Sequence, residues 1–466
     1  MVIEKFNTGV PGLDRILAGG FQRGSAYILQ GPPGAGKTVL ANQFCFSHAR
    51  GGGRALYMSL LAESHDRMLA YMSEMAFYDS SFLPENLQYV SGFGVLEREG
   101  LPGLLKLMQH EIKRHRATAV VLDGIFVAHS DVTEGEYRKF VHELQGVANY
   151  LNAVLVMLTH QNRNSGSPEH TMVDGWIELS DELKDFRSYR TIQVKKHRGS
   201  GILPGKHHFR IDDQGISVFP RVEVIPTREL TRRLPSVRIS TGIGDLDKML
   251  CGGLTKASAT VVFGPTGTGK TTLALHFLAE ATPQEPAIML GLYETPAGLL
   301  NKAGSIGLDL DAAIASGAVE LVWRPSAENL VDELVLDLLA KVEARGAKRV
   351  VVDGIVALRD NLVARGRFAY ILSAMNARLS ELGATVVYTS EIRDMHAPSM
   401  LPSDDISMFV ENVIVLTYLR QEDALRRSLS VLKLRDSDFD PRAREFYIGD
   451  SGIIFGMDPQ LRQNGA

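Results

Sequence analysis

The feature that most narrows what this chain can become is a glycine-rich loop that occurs twice. Gly31-Pro32-Pro33-Gly34-Ala35-Gly36-Lys37-Thr38 and Gly264-Pro265-Thr266-Gly267-Thr268-Gly269-Lys270-Thr271 both fit G-x-x-x-x-G-K-T. Each follows an apolar run of strand character and precedes a run of helical character, the context in which this pattern binds polyphosphate. The chemistry needs these residues in this order. Glycines let backbone N–H groups close around phosphate oxygens, the lysine sets a point charge beside the outer phosphates, and the threonine hydroxyl offers an oxygen to Mg²⁺. The candidate nucleotide ligands are Gly31, Gly34, Gly36, Lys37 and Thr38 in the first half and Gly264, Gly267, Gly269, Lys270 and Thr271 in the second.

The repeat extends beyond the loops. Phe6-Asn7-Thr8-Gly9-Val10-Pro11-Gly12-Leu13-Asp14 leads into the first loop, and Ile239-Ser240-Thr241-Gly242-Ile243-Gly244-Asp245-Leu246-Asp247 leads into the second. A Gly-Gly pair and a short apolar run follow each leader. Further on, Ala119-Val120-Val121-Leu122-Asp123 matches Val350-Val351-Val352-Asp353, and Lys196-His197-Arg198 matches Lys433-Leu434-Arg435. The chain is therefore read as a tandem duplication: an N-terminal domain over 1–225, a linker over 226–235 with its prolines and charges, and a C-terminal domain over 236–466. Short Val/Ile/Leu-rich runs alternate with helical stretches such as Glu328 to Glu343 and Gly366 to Leu382. That alternation predicts an α/β fold in which each domain is a mainly parallel sheet flanked by helices.

Composition excludes several classes. Hydrophobic residues make up 45% and charged residues 22% of the chain, as in an ordinary globular protein. The net charge of −4 gives no global attraction for nucleic acid. Two cysteines, Cys45 and Cys251, cannot build a disulfide framework, and a cytoplasmic setting is expected. No apolar run approaches the ~18 residues of a membrane span, so no membrane partner is expected. The histidines His129, His142, His160 and His170 lack metal-site spacing.

Two sets of carboxylates carry candidate chemistry. Asp123 and Asp353 each end an apolar strand beside a phosphate loop, a position suited to holding Mg²⁺. Glu63, in Leu60-Leu61-Ala62-Glu63-Ser64, and Glu294, in Leu292-Tyr293-Glu294-Thr295-Pro296, follow the second strand of each half. Either could orient or deprotonate the water that attacks a γ-phosphate. The competing reading is a helix N-terminal glutamate favoured by the helix dipole.

With these residues in hand, the chain resembles the KaiC family of double-domain, RecA-like ATPases. The likeness covers both halves: the T-G-[IV]-x-x-[LF]-D leader, both G-x-x-x-x-G-K-T loops, both strand-end aspartates and the K-x-R element. The resemblance implies two tandem RecA-like P-loop NTPase domains and a homohexameric two-tier ring that binds ATP and Mg²⁺ between neighbouring subunits and hydrolyses ATP slowly. It further implies that Lys196, Arg198, Lys433 and Arg435 reach the nucleotide of the adjacent subunit, where cations stabilise charge developing in phosphoryl transfer.

Three departures qualify that picture. The family's clock proteins carry paired glutamates after the second strand, and here Ala62 and Tyr293 replace the first of each pair. They also autophosphorylate an adjacent Ser-Thr pair. Ser407 matches the serine, but Met408 replaces the threonine, so an ordered two-site cycle is excluded and any autokinase reaction is expected to be slow and confined to Ser407. The chain also stops soon after Phe455-Gly456-Met457, short of the tail that receives a regulator. Two rival readings stay open at this stage. Thr159-His160-Gln161 resembles the sensor of RecA-like recombinases, which makes a DNA-dependent ATPase the first rival. The loop that follows, however, has one arginine, Arg163, and no aromatic for base stacking. The second rival is a ring that nucleotide merely assembles to present a surface to a signalling protein.

Overall fold

The computed structural model describes residues 4–61, 65–129, 132–160, 168–184, 186–226, 237–325, 330–392, 405–421, 424–435 and 437–456. Backbone contacts divide the chain into two compact units, Met1–Ile225 and Pro226–Ala466. The linker expected over 226–235 lies, apart from Pro226, outside the described residues.

In the first unit the strands are β1 (Lys5–Phe6), β2 (Phe21–Gln22), β3 (Ala26–Gln30), β4 (Ala55–Ser59), β5 (Leu87–Ser91), β6 (Ala119–Asp123), β7 (Val154–Thr159), β8 (Gly175–Lys184), β9 (Arg187–His197), β10 (His207–Asp212) and β11 (Gly215–Phe219). β1 and β2 pair with each other, and the rest form one sheet in the order β11-β10-β9-β8-β3-β7-β6-β4-β5. The half from β8 to β5 is parallel, while β9, β10 and β11 run antiparallel. The second unit repeats this with β12 (Arg238–Ile239), β13 (Leu254–Thr255), β14 (Ala259–Gly264), β15 (Ala287–Gly291), β16 (Val319–Trp323), β17 (Arg349–Asp353), β18 (Thr385–Glu391), β19 (Asn412–Gln421), β20 (Ala424–Leu434), β21 (Arg444–Gly449) and β22 (Gly452–Phe455). Its large sheet has the order β16-β15-β17-β18-β14-β19-β20-β21-β22.

The central parallel strands are apolar at nearly every position because helices cover both faces. Alternate residues of β3, β4 and β6 point to opposite sides. Tyr27, Leu29, Tyr57 and Val121 meet Leu40 and Phe44 of helix Lys37–Arg50. Ile28, Leu56, Met58, Val120 and Leu122 meet Leu104, Met108 and Phe140 on the other side. Helix Glu134–Tyr150 starts where a capping box fixes it, with Thr133 bonded to the backbone N–H of Glu136 and Glu136 bonded back to that of Thr133. The observed architecture is the tandem α/β arrangement of mainly parallel sheets that the alternating pattern predicts. The expected helices also form, as Val331–Arg345 and Phe368–Glu381.

The leader before each phosphate loop is a built turn. Asp14 accepts a hydrogen bond from the backbone N–H of Thr8 (2.9 Å). Asp247 accepts three, from Thr241 N (2.8 Å), Thr241 Oγ1 (2.7 Å) and Ser240 Oγ (2.6 Å). The Gly-Gly pair closes the same turn. Gly20 and Gly253 have φ of +105° and +109°, and a Cβ there would lie 2.1 Å from Phe6 O or 2.2 Å from Ile239 O.

Candidate functional site

Each phosphate loop sits where a central parallel strand hands over to a helix. β3 ends at Gln30 and helix Lys37–Arg50 begins at Lys37; β14 ends at Gly264 and helix Lys270–Ala279 begins at Lys270. The residues at the helix starts, Gly36 and Gly269, have φ of +94° and +104°. A Cβ on Gly36 would press within 2.6 Å of Ile211 Cδ1, so glycine is required there by conformation and by space. The first helix turns leave their N–H groups pointing out of the loop, which is the geometry that binds anions.

The loop lysines fold back over their own loops. Lys37 Nζ donates to Gly31 O (2.7 Å) and Pro32 O (2.9 Å), and Lys270 Nζ donates to Gly264 O and Pro265 O (both 2.8 Å). Burial pushes both ammonium groups below the usual lysine range; Asp123 pulls Lys37 back up, and Glu391 and then Asp353 do so for Lys270.

Asp123 and Asp353 are buried at the ends of β6 and β17, and burial pushes both carboxyls above the usual range. Their partners differ. Tyr57 Oη donates to Asp123 Oδ2 at 2.6 Å from the next strand. Asp353 instead accepts from Thr389 Oγ1 and, at 3.2 Å, from Thr271 Oγ1. The threonine and aspartate expected to share a metal thus converge in the second unit. Among the described residues no three His, Cys, Asp or Glu side chains form a metal cage. A Mg²⁺ at Thr271 and Asp353 would therefore complete its octahedron with phosphate oxygens and water, as this hard cation prefers.

In the second unit these groups line a cleft of about 390 Å³ that also contains Tyr293, Glu294, Lys302 and Glu391. Glu294 Oε1 is 2.5 Å from Lys302 Nζ, on helix Pro296–Ser305. Thr266 Oγ1 donates to Glu391. Tyr293 packs over Gly354, where a Cβ would lie 2.4 Å from its ring. In the first unit the matching contact over Gly124 is made by Leu61. The structure therefore pairs Tyr293 with Leu61, one residue before the Ala62 that sequence matching pairs with it. Glu63 lies outside the described residues. His160 follows β7 at the position where Glu391 ends β18; its ring lies tilted against Phe126 (4.1 Å between ring centres), and burial pushes it below the usual histidine range.

The K-x-R lysines stand in the antiparallel part of the same sheet, level with the middle of the central strand. Lys196 is opposite Trp176, which is level with Ile28, before the phosphate loop begins. Its ammonium donates to Thr171 O (2.8 Å) and His170 O (3.2 Å), and Arg198 Nη2 donates to Thr171 O (3.1 Å). Lys433 Nζ donates to Val410 O (2.7 Å) and Ser407 O (2.8 Å), and the Arg435 backbone N–H donates to Glu411 O (3.2 Å). Burial holds both lysines below the usual range, and the neighbouring Arg198 or Arg435 adds to the effect. In each unit the strand register slips beside this lysine, between Trp176 and Ile177 and between Val413 and Ile414. A bulge of this kind re-aims the side chains that follow it.

Ser407 is half-buried in the single 3₁₀ turn Asp405–Met408, and Met408 is exposed. The chain leaves this turn after Met408, so Glu411 is not on one helix with Ser407. Glu411 instead accepts from the backbone N–H of Ala259 (2.8 Å), as Asp174 accepts from Ala26 (3.0 Å) in the first unit. It tethers the start of the central strand. Arg163, with the rest of 161–167, and residues 393–404 lie outside the described residues.

Sequence matching missed Tyr57, Thr389, Glu391 and Lys302. Tyr57 carries a signal in retrospect, since it is two residues before Ser59 and Ser59 is in register with Asp123. Lys302 carries none, because only the fold of helix Pro296–Ser305 turns it toward Glu294.

Comparison with known proteins gives a consistent outcome. A family model described as the KaiC ATPase matches residues 6–223 and again 239–460. The circadian clock oscillator protein KaiC of Prochlorococcus marinus is 26% identical, with 100% of this chain and 94% of that protein covered. KaiC of Synechococcus elongatus is 26% identical, with 97% and 88% covered. The circadian clock protein KaiC3 of Synechocystis is 25% identical, with 97% and 92% covered.

Proposed function

This chain belongs to the KaiC family of ATPases, and we propose from that membership that it is an ATP-hydrolysing protein that assembles as a two-tier homohexameric ring with nucleotide at the subunit interfaces. The single observation that supports this best is the duplicated site: in each unit a phosphate loop, its lysine and a buried strand-end aspartate come together. ATP would lie on the loops at Gly31, Gly34, Gly36, Lys37 and Thr38 and at Gly264, Gly267, Gly269, Lys270 and Thr271. Mg²⁺, held through Thr38 with Asp123 and Thr271 with Asp353, would supply charge neutralisation across the phosphates. Glu294 would orient the attacking water in the second unit; in the first, the register that pairs Tyr293 with Leu61 sets Ala62 opposite Glu294, and Glu63 would serve from one residue further on.

The cations support action between subunits. Lys196 and Lys433 spend their ammonium groups on the carbonyls of Thr171 and Val410 rather than on their own loops, which supports a role at a neighbour's nucleotide. Autophosphorylation, confined to Ser407, is the finer part of the reading. Ser407 lies on the same side as Lys433, so its phosphate donor would also be the neighbour's ATP. Incubation with labelled ATP and peptide mapping tests this: label should sit on Ser407 alone and vanish in Ser407→Ala.

The assembly reading is tested by light scattering with ATP, with ADP and without nucleotide, alongside a turnover assay. ATP-bound protein should run as a hexamer that hydrolyses ATP. A ring without turnover would favour a nucleotide-assembled scaffold for a signalling partner. Turnover that rises with single-stranded DNA and falls with salt would favour the recombinase reading.

A further inference from the structure

The cleft of the second unit holds three carboxylates, Glu294, Asp353 and Glu391, against two ammonium groups, Lys270 and Lys302. Most of these groups are tied down locally. Asp353 is bonded by Thr271 and Thr389, Glu391 by Thr266, and Lys270 by the carbonyls of Gly264 and Pro265. Glu294 has one side-chain partner among the described residues, Lys302, at 2.5 Å. Both side chains are about one-third exposed, at 35% each, so the pair adds little to stability. What it supplies is placement. Glu294 sits on the turn just before the helix cap Thr295, with Asp353 repelling it across the cleft. A lone carboxylate there would swing to solvent. Lys302 is fixed further along the helix and faces into the same cleft.

We propose that Lys302 is a positioning residue that holds the Glu294 carboxylate in the cleft for the hydrolytic step. The inference rests on the proposed role of Glu294. The pair is described in the second unit; in the first, Glu63 lies outside the described residues. In the first unit, helix His65–Met72 has Arg67 as its only Lys or Arg, and Arg67 turns to its own helix, donating to Tyr71 Oη (3.0 Å) and lying over that ring.

The test is a double-mutant cycle in the full chain, with turnover and equilibrium binding of a fluorescent ATP analogue as separate readouts. Glu294→Gln defines the share of turnover that depends on Glu294. Lys302→Met should cut that share about tenfold, as loss of a positioning contact does, and leave analogue affinity within about twofold of wild type. It should add no further loss in the Glu294→Gln background, and Lys302→Arg should restore most of the activity. Four results would overturn the proposal: unchanged turnover in Lys302→Met, an additive loss in the double variant, no rescue by Lys302→Arg, or weakened affinity, which would make Lys302 a phosphate ligand. If Glu294→Gln itself leaves turnover intact, the reading of Glu294 falls and this inference falls with it. If Glu294→Gln lowers turnover and Lys302→Met does not, only the inference falls.

Discussion

At the scale of single residues, the site consists of groups whose neighbours decide what they can do. Glu294→Gln keeps the shape of the side chain but removes the base. It should lower the C-terminal unit's turnover about 10²-fold and leave ATP binding intact; a single-turnover assay beside a binding titration checks this. Glu63→Gln is expected to do the same for the N-terminal unit, and equal turnover in both double-glutamine and wild-type protein would return these glutamates to a helix-dipole role. A second residue-scale prediction concerns His197, which is buried between the two K-x-R cations. The Tyr27 hydroxyl accepts from the backbone N–H of Gln22 (2.8 Å), so its proton is free to donate to His197 Nε2 (3.1 Å), which holds the ring neutral. Burial pushes the His197 imidazole down to about 4. An unfolded histidine titrates near 6.5, so between that value and about 4 the unfolded chain binds a proton that the folded chain does not. This contribution to stability is full above about pH 6.5, shrinks as pH falls towards about 4, and then levels off. Replacing His197 with Gln should flatten the acid side of the stability profile in a series of urea titrations.

At the scale of elements, the sequence exposes parts of the fold where chemistry is local and hides parts where it depends on register. The parallel strands are legible because both faces are covered and nearly every residue is apolar. The phosphate loops are legible because their glycines need backbone conformations that other residues resist. The bulges beside Lys196 and Lys433 are not legible, since a slip of one residue between paired strands leaves no mark in either strand alone. Glu411 shows the same limit: the strand it tethers lies far away in sequence, and nothing in its own neighbourhood marks that partner. The leader turns, matched by sequence alone, turn out to differ in strength. Asp247 organises three hydrogen bonds where Asp14 makes one. At about 1 kcal/mol for each net hydrogen bond, Asp247→Ala should destabilise the second unit by about 2–3 kcal/mol, and Asp14→Ala the first by only ~1 kcal/mol. The two tryptophans separate these effects, because Trp176 lies in the first unit and Trp323 in the second. Fluorescence-detected denaturation of single-tryptophan versions should move the Trp323 transition more than the Trp176 transition.

At the scale of the whole molecule, the question is whether one chain holds a complete catalytic site. Lys433 is engaged by the carbonyls of Val410 and Ser407 and not by the loop at 264–271, which favours a site shared between neighbours. If nucleotide bridges subunits, its binding energy stabilises only the assembled state. Lys37→Ala should then loosen the ring more than Lys270→Ala, if the N-terminal tier carries assembly as the family resemblance implies; light scattering with ATP measures this, and an unchanged hexamer in Lys37→Ala would refute it. Sharing itself has a sharper test. Lys270→Ala disables a subunit's own loop, and Arg435→Ala disables what it lends to its neighbour. Each protein alone should lose the C-terminal share of turnover. In a ring of head-to-tail contacts formed from an equal mixture, about a quarter of the interfaces would join an intact loop on one subunit to an intact arginine on the next. Co-assembly from dissociated protein should therefore recover about a quarter of the C-terminal share. Were Arg435 to act on its own subunit's nucleotide, no interface could be complete and the mixture would stay at the level of its two parents. A recovery that appears only after subunit exchange, and not when two preformed rings are mixed, would assign the site to a pair of neighbours.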